Sequence, residues 1–231
     1  MMPVPVARPV HIDVGGLRLE GDLTVPPMAR GLIVFAHGAE SSRSSPRNRH
    51  VARELEEAPL ATLLLDLLSV EEEEADSQTG LLRFDVGMLA QRLVTATDWT
   101  LGEPRVAGLP IGYVGASTGA AAALVAATAR PEIVRAVVSR GGRPDLAGDA
   151  LAAVTAPTLL IVGGRDAPTL TLNREALAAL HAEAQLEIIP GATHLFGEPG
   201  ALDKVARLAR GWFERYLTVS AAARPLRRPA A

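Results

Sequence analysis

The chain has 231 residues, 48% of them hydrophobic and 21% charged, which is enough for one domain with a sizeable core. A formal charge of −3 lacks the strongly basic balance of a nucleic-acid binder. The absence of cysteine excludes a disulfide framework, a thiolate metal site and a cysteine nucleophile. The opening residues have prolines and charges where a secretory signal needs a continuous apolar stretch, and no later apolar run approaches a membrane span. These features predict a soluble, cytoplasmic protein, a monomer or homodimer. Neither nucleic acid nor a membrane is expected as a partner, and chemistry on a small molecule fits better. Nearly all basic residues are arginine, Lys204 being the only lysine, and no function follows from that bias.

In chain order, residues 8–25 alternate around Gly15 and Gly16 and predict an antiparallel hairpin at a sheet edge. Six short runs rich in Val, Ile and Leu follow, at 31–38, 61–68, 111–117, 133–139, 157–164 and 185–191. They read as buried parallel strands joined by helices, an α/β architecture. Helical patterns cover 46–58, 84–101, 118–130, 169–183 and 199–217. In the last, Leu202, Val205, Leu208, Trp212, Phe213 and Tyr216 recur at three- and four-residue steps, with Pro199 suited to the first turn. The acidic run Glu71 to Glu74 reads as a solvated loop or a helix start. Residues 1–217 form one domain in this reading. Residues 218–231 lose periodicity and gain proline, which predicts a mobile tail.

At the junction of a predicted strand and a predicted helix, Gly115-Ala116-Ser117-Thr118-Gly119 fits G-x-S-x-G. A serine on such a tight turn projects from the carboxyl edge of the sheet, and its flanking neighbours must lack bulk so that strand and helix can approach. The same serine could instead cap the helix that follows. The nucleophilic reading requires an acid and then a histidine downstream. Asp166 follows the run at 157–164, and His194 follows the run at 185–191, so all three fall at carboxyl ends of strands. In a triad His194 takes the Ser117 proton, and Asp166 fixes the imidazole tautomer. Singly, Asp166 could cap its helix and His194 could be satisfied by backbone.

The other histidines compete less well: His11 lies in the hairpin, His50 and His181 fall in helical patterns, and His37 at a strand end suits a structural role. Asp145 and Glu198 are alternative acids. For an oxyanion hole the expected donors are the backbone N–H groups of Thr118 and of Ala39, with Glu40 as the alternative to Ala39.

The segments FAHG, GASTG, VGGRD and PGATH, in this order, resemble the α/β-hydrolase superfamily. HGAESSRSSPRNR, TGLLRFD, SRGGRPDLAG and LIVGGRDAPTLTLNREAL are similar to the small dienelactone-hydrolase-like proteins, including those fused to phosphoribosyltransferase domains. The likeness spans residues 10 to 217. It implies an α/β-hydrolase fold with an eight-stranded, mostly parallel sheet, helices on both faces, and a cofactor-free hydrolase of carboxylic esters or lactones. It carries the triad roles onto Ser117, Asp166 and His194. The chain departs from authentic dienelactone hydrolases, which use a cysteine nucleophile, and that speaks against dienelactone as its substrate. It also has Glu40 where related sequences tend to carry glycine.

Only residues 140–156 separate the strand ending near Ser139 from the next, too few for a cap domain, so an open, shallow site without a lid is expected. With aromatics at 3%, a large hydrophobic binding wall is not. Arg43, Arg47, Arg83, Arg140 and Arg143 all follow strands, on the side where open α/β sheets bind ligands, and could clamp a carboxylate or phosphate, whereas Glu40, also a candidate substrate-binding residue, could repel an anionic substrate or point to water. Asp66, Glu71 to Glu74, Asp76, Asp85 and Asp145 share those segments and could neutralise them as surface ion pairs. Three functions fit these residues: a serine hydrolase of small esters, lactones or thioesters acting through an acyl-enzyme, an acyltransferase with the same nucleophile, and a non-catalytic binding protein.

Overall fold

A computed structural model describes residues 6–217; the segment expected to be a mobile tail lies outside the described residues. Strands β1 (Arg8–Val14) and β2 (Leu17–Thr24) form the expected hairpin, turning at Gly15 and Gly16, both at positive φ. The six predicted parallel strands are β3 (Gly31–Ala36), β4 (Leu60–Leu65), β5 (Ile111–Ala116), β6 (Val134–Arg140), β7 (Thr158–Gly163) and β8 (Ala184–Ile189). All join one eight-stranded sheet in the order β1-β2-β4-β3-β5-β6-β7-β8. The hairpin enters by the antiparallel pairing of β2 with β4, and every later pairing is parallel.

Each central strand is buried on both faces, so its sequence is a continuous apolar run, and its alternating side chains feed two separate cores. From β3, Leu32, Val34 and Ala36 enter one core, whereas Ile33 and Phe35 enter the other. The first core lies under α3 (Val86–Gly102), α4 (Thr118–Ala129) and α6 (Ala167–Ala179); the second lies under α1 (Pro46–Glu57) and α7 (Ala201–Tyr216). Nine of the twelve residues of α4 are buried, which explains why this alanine-rich helix has no polar face. Helix α7 is the opposite case, seating Val205, Ala209, Trp212 and Phe213 on the sheet. Gly112 makes room for it, since a Cβ there would come within 2.5 Å of the Phe213 ring.

Of the two readings of the acidic run the helix start holds, and two other local expectations change. A ten-residue helix, α2 (Val70–Thr79), occupies the acidic run. Its first turn is closed by a reciprocal capping box, Ser69 accepting from the Glu72 amide and Glu72 from the Ser69 amide, and Gly80 ends it at φ 66. Helix α6 stops at Ala179, so His181 sits in the loop beyond it. Pro199 lies outside the first turn of α7, because Gly200 reverses the chain at φ 73 and the helix begins at Ala201. Between β6 and β7 there is only a 3-10 turn, Pro144–Ala147, and a single helical turn, α5 (Ala150–Ala153), so no cap domain covers the sheet edge. Among the described residues, no helix is long and apolar enough to cross a membrane.

Candidate active site

The corner between β5 and α4 is sterically over-determined. A Cβ on Gly115 would lie 2.4 Å from the Ala120 Cα, and one on Gly119 would lie 2.2 Å from the Ala36 carbonyl oxygen. Both glycines are thus required by backbone contact on either side of Ser117. Ser117 itself stands at φ 49, ψ −123, a conformation that costs a non-glycine residue about 1–3 kcal/mol and persists only where the surroundings enforce it. It occupies the N-cap position of α4, yet its side chain makes no capping hydrogen bond. The capping alternative therefore fails, and the hydroxyl is left uncommitted.

Asp166 and His194 meet because the loops after β7 and β8 are packed backbone to backbone. The Gly164 amide donates to the Ile189 carbonyl at 2.8 Å and the Arg165 amide to the Ala192 carbonyl at 2.9 Å. A Cβ on Gly163 would strike that same Ala192 oxygen at 2.5 Å. At the end of these loops His194 Nδ1 and Asp166 Oδ2 are 2.7 Å apart. An ionised carboxylate only accepts, so the proton sits on Nδ1 and the Nε2 lone pair is left free. Asp166 also caps α6, its Oδ1 accepting from the Thr169 amide at 3.4 Å. Capping and histidine orientation, alternatives in the sequence, are here two edges of one carboxylate. Glu198 steadies the histidine loop by accepting from the Thr193 amide at 3.1 Å, and the Thr193 side chain and that amide hold its carboxyl below the usual range.

Ser117 and His194 line one cavity of about 250 Å³, together with Ala39 and Glu40, without a direct hydrogen bond between them. Neither the Ala39 nor the Thr118 amide is spent on a hydrogen bond among the described residues. His37 is fully occupied elsewhere, Nδ1 donating to the Gly38 carbonyl and Nε2 accepting from the Leu67 amide, which ties the loop after β3 to the one after β4.

The arginines divide. Arg43 bonds Asp66 and Glu20, Arg143 bonds Asp145, and Arg83 bonds Asp76; none of the three lines the Ser117 cavity. Arg47 and Arg140 do line it. Burial, with a smaller contribution from the like charge of Arg47, pushes the Arg140 guanidinium down to about 10, so it remains a cation at neutral pH.

The cavity also has an apolar wall that the low aromatic content did not suggest: Phe84, Leu195 and Phe196, which include two of the four phenylalanines of the chain. Phe84 reaches it because the buried Asp76 carboxylate accepts from the Leu82 amide (2.7 Å), the Arg83 amide (3.2 Å) and Arg83 Nε (2.6 Å), folding the 3-10 turn Leu82–Phe84 back over the site. No periodicity marks that turn. The S-x-x-E pattern at Ser69 and the glycine at 80 are the signals from which the preceding helix was recoverable.

Residues 69–219 match the model of the dienelactone hydrolase family. A crystal structure of dienelactone hydrolase from Anabaena variabilis is 58% identical and superposes with a TM-score of 0.91, covering 93% of this chain and 100% of that one. The esterase Est1E of Butyrivibrio proteoclasticus, at 16% identity and a TM-score of 0.75 over 90% of this chain and 98% of its own, shares the fold. Two Mycobacterium tuberculosis sequences that carry a phosphoribosyl transferase name are 55% identical over 208 residues, 90% of this chain and 46% of theirs. The chain spans about half the length of those curated relatives. On the extent of the family match and the identity to the Anabaena protein, this chain belongs to the dienelactone hydrolase family.

Proposed function

We propose that the protein is a serine hydrolase of small carboxylic esters or lactones. The observation that carries this reading is the pairing of His194 with Asp166 at 2.7 Å on the wall of the cavity that holds an uncapped, conformationally strained Ser117. His194 Nε2 takes the Ser117 proton as the hydroxyl oxygen attacks the carbonyl carbon, a contact that in such sites often tightens only once substrate is bound. The Thr118 and Ala39 amides receive the oxyanion of the tetrahedral intermediate. As the intermediate collapses, His194 returns the proton to the leaving oxygen and an acyl-serine remains. Water, deprotonated by the same nitrogen, then releases the acid and restores Ser117. Asp166 stays ionised throughout and stabilises the imidazolium.

The cavity volume lies below the ~300–1,000 Å³ of sites for drug-sized ligands, which supports a small substrate. A fluorophosphonate probe is expected to label the wild-type protein at Ser117. Ser117→Ala is expected to remove labelling and to lower kcat on p-nitrophenyl esters by roughly 10⁶-fold. An intact, folded protein that neither reacts with the probe nor turns over any ester or lactone contradicts this function.

A further inference from the structure

Resting on that reading, we infer that Phe196 is a positioning residue for the proposed base: packed against Gly141, it keeps the His194 imidazole from pivoting away from Ser117. Of the four non-glycine residues at positive φ among the described residues, two line the same cavity, Ser117 itself and Phe196 at φ 55. A bulky side chain rarely adopts that region of backbone space, and it persists there only where the surroundings enforce it. For Phe196 the enforcement is the second core, in which it is only 2% exposed.

The strained residue closes the turn that carries the histidine. Its amide donates to the Thr193 carbonyl at 3.1 Å, with His194 and Leu195 between them, and the Thr193 amide is held in turn by Glu198. The loop after β6 backs this turn. A Cβ on Gly141 would lie 3.0 Å from the His194 carbonyl oxygen, 3.4 Å from Phe196 Cε2 and 3.6 Å from His194 Cε1. The edges of both rings thus converge on one glycine, whose own amide is fixed to the Ile161 carbonyl at 2.8 Å. The imidazole needs such backing. Its bond to Asp166 ties down Nδ1 alone, and a ring tied at one atom can still swing about it. Ser117 supplies no second hydrogen bond, and the His194 side chain is 41% exposed, so the open side of the cavity restrains it little. The aim of Nε2 then rests on packing at Cε1, the carbon between the two nitrogens, where Gly141 and Phe196 meet it.

The test separates orientation from stability. In Phe196→Ala, kcat on p-nitrophenyl acetate is expected to fall roughly ten- to hundredfold with KM within about twofold of wild type, because a small misplacement of a reacting group is that costly. Phe196→Leu refills most of the lost volume and is expected to recover kcat to within about fivefold of wild type. The unfolding midpoint reports whether each variant is folded at the assay temperature. The ring nitrogen shifts of His194 in 15N NMR at alkaline pH, assigned by their loss in His194→Gln, show which nitrogen holds the proton. Wild type and Phe196→Leu are expected to hold it on Nδ1, and Phe196→Ala to move toward the Nε2 tautomer as the Asp166 bond loosens. Should Phe196→Ala fail to fold, Gly141→Ala crowds the same turn from beneath and is expected to give the same two changes. A folded Phe196→Ala with wild-type kcat and tautomer, one that loses kcat with the tautomer unmoved, or one altered in KM alone overturns the inference. The tautomer is read without turnover. Its shift in Phe196→Ala beside a wild type that hydrolyses nothing counts against the hydrolase alone; its constancy beside a wild type labelled by fluorophosphonate counts against the role of Phe196 alone.

Discussion

The corner that presents Ser117 and the segment that presents Phe84 face the same cavity, but different forces hold them. The corner is fixed by repulsion between backbones: Gly115 and Gly119 stand where any side chain would overlap Ala120 or Ala36, and Ser117 has nowhere else to go. The segment 69–84 is held by attraction between charges. Arg92, 5% exposed, donates to the Leu67 carbonyl and to both oxygens of Glu72, while Asp76 gathers the turn that follows. Steric exclusion leaves one geometry and is indifferent to pH. Ion pairing within the segment that borders the site depends on protonation.

Asp166, the acid of the proposed triad, is the place where this contrast breaks most sharply. Asp166→Asn keeps the size and the cap yet presents the wrong hydrogen-bonding edge to His194, and should lower kcat by roughly 10⁴-fold with little change in the unfolding midpoint. A drop in kcat matched by a large loss of stability would place Asp166 with the structural groups instead. Next in size is Gly119→Ala. Its Cβ meets main-chain atoms that cannot yield cheaply, so about 3 kcal/mol of stability should be lost in denaturant unfolding, with labelling of Ser117 slowed in whatever remains folded.

The smallest effect belongs to the charged segment. Arg92→Met should cost about 2–3 kcal/mol at neutral pH. The hydrogen bond from Arg92 holds the Glu72 carboxyl below its ordinary range, outweighing partial burial. A depressed folded-state value means the pair contributes fully above the ordinary carboxylate range and is lost as pH falls through the lowered one. The midpoints of wild type and Arg92→Met should accordingly converge on acidification; a gap that stays constant with pH would show packing, not charge, to be the source.

The same division governs what could be read before any coordinates. All eight strands are visible in the sequence, six as short apolar runs and the edge hairpin as an alternation around two glycines, and the serine corner is visible because its steric demand falls on residues two positions away. Asp166 and His194 follow from their places after strands. The pairings of the arginines are not visible: Arg43 and Arg140 look alike in sequence, and only the approach of Asp66 and Glu20 to one, and of Asn48 to the other, separates them. Phe84 is hidden for the same reason, since its position depends on a carboxylate eight residues earlier whose hydrogen bonds have no periodic signature. Helix α2 gave its caps but no apolar stripe, and a reading based on hydrophobic period passes over such a helix.

The double engagement of Asp166 has a consequence for how the protein ages and warms. One oxygen anchors the opening turn of α6 and the other bonds the imidazole, so loosening of that turn and misalignment of His194 in the proposed triad are a single event. Activity lost on gentle heating should fade in step with amide exchange at Thr169, well before the two cores come apart.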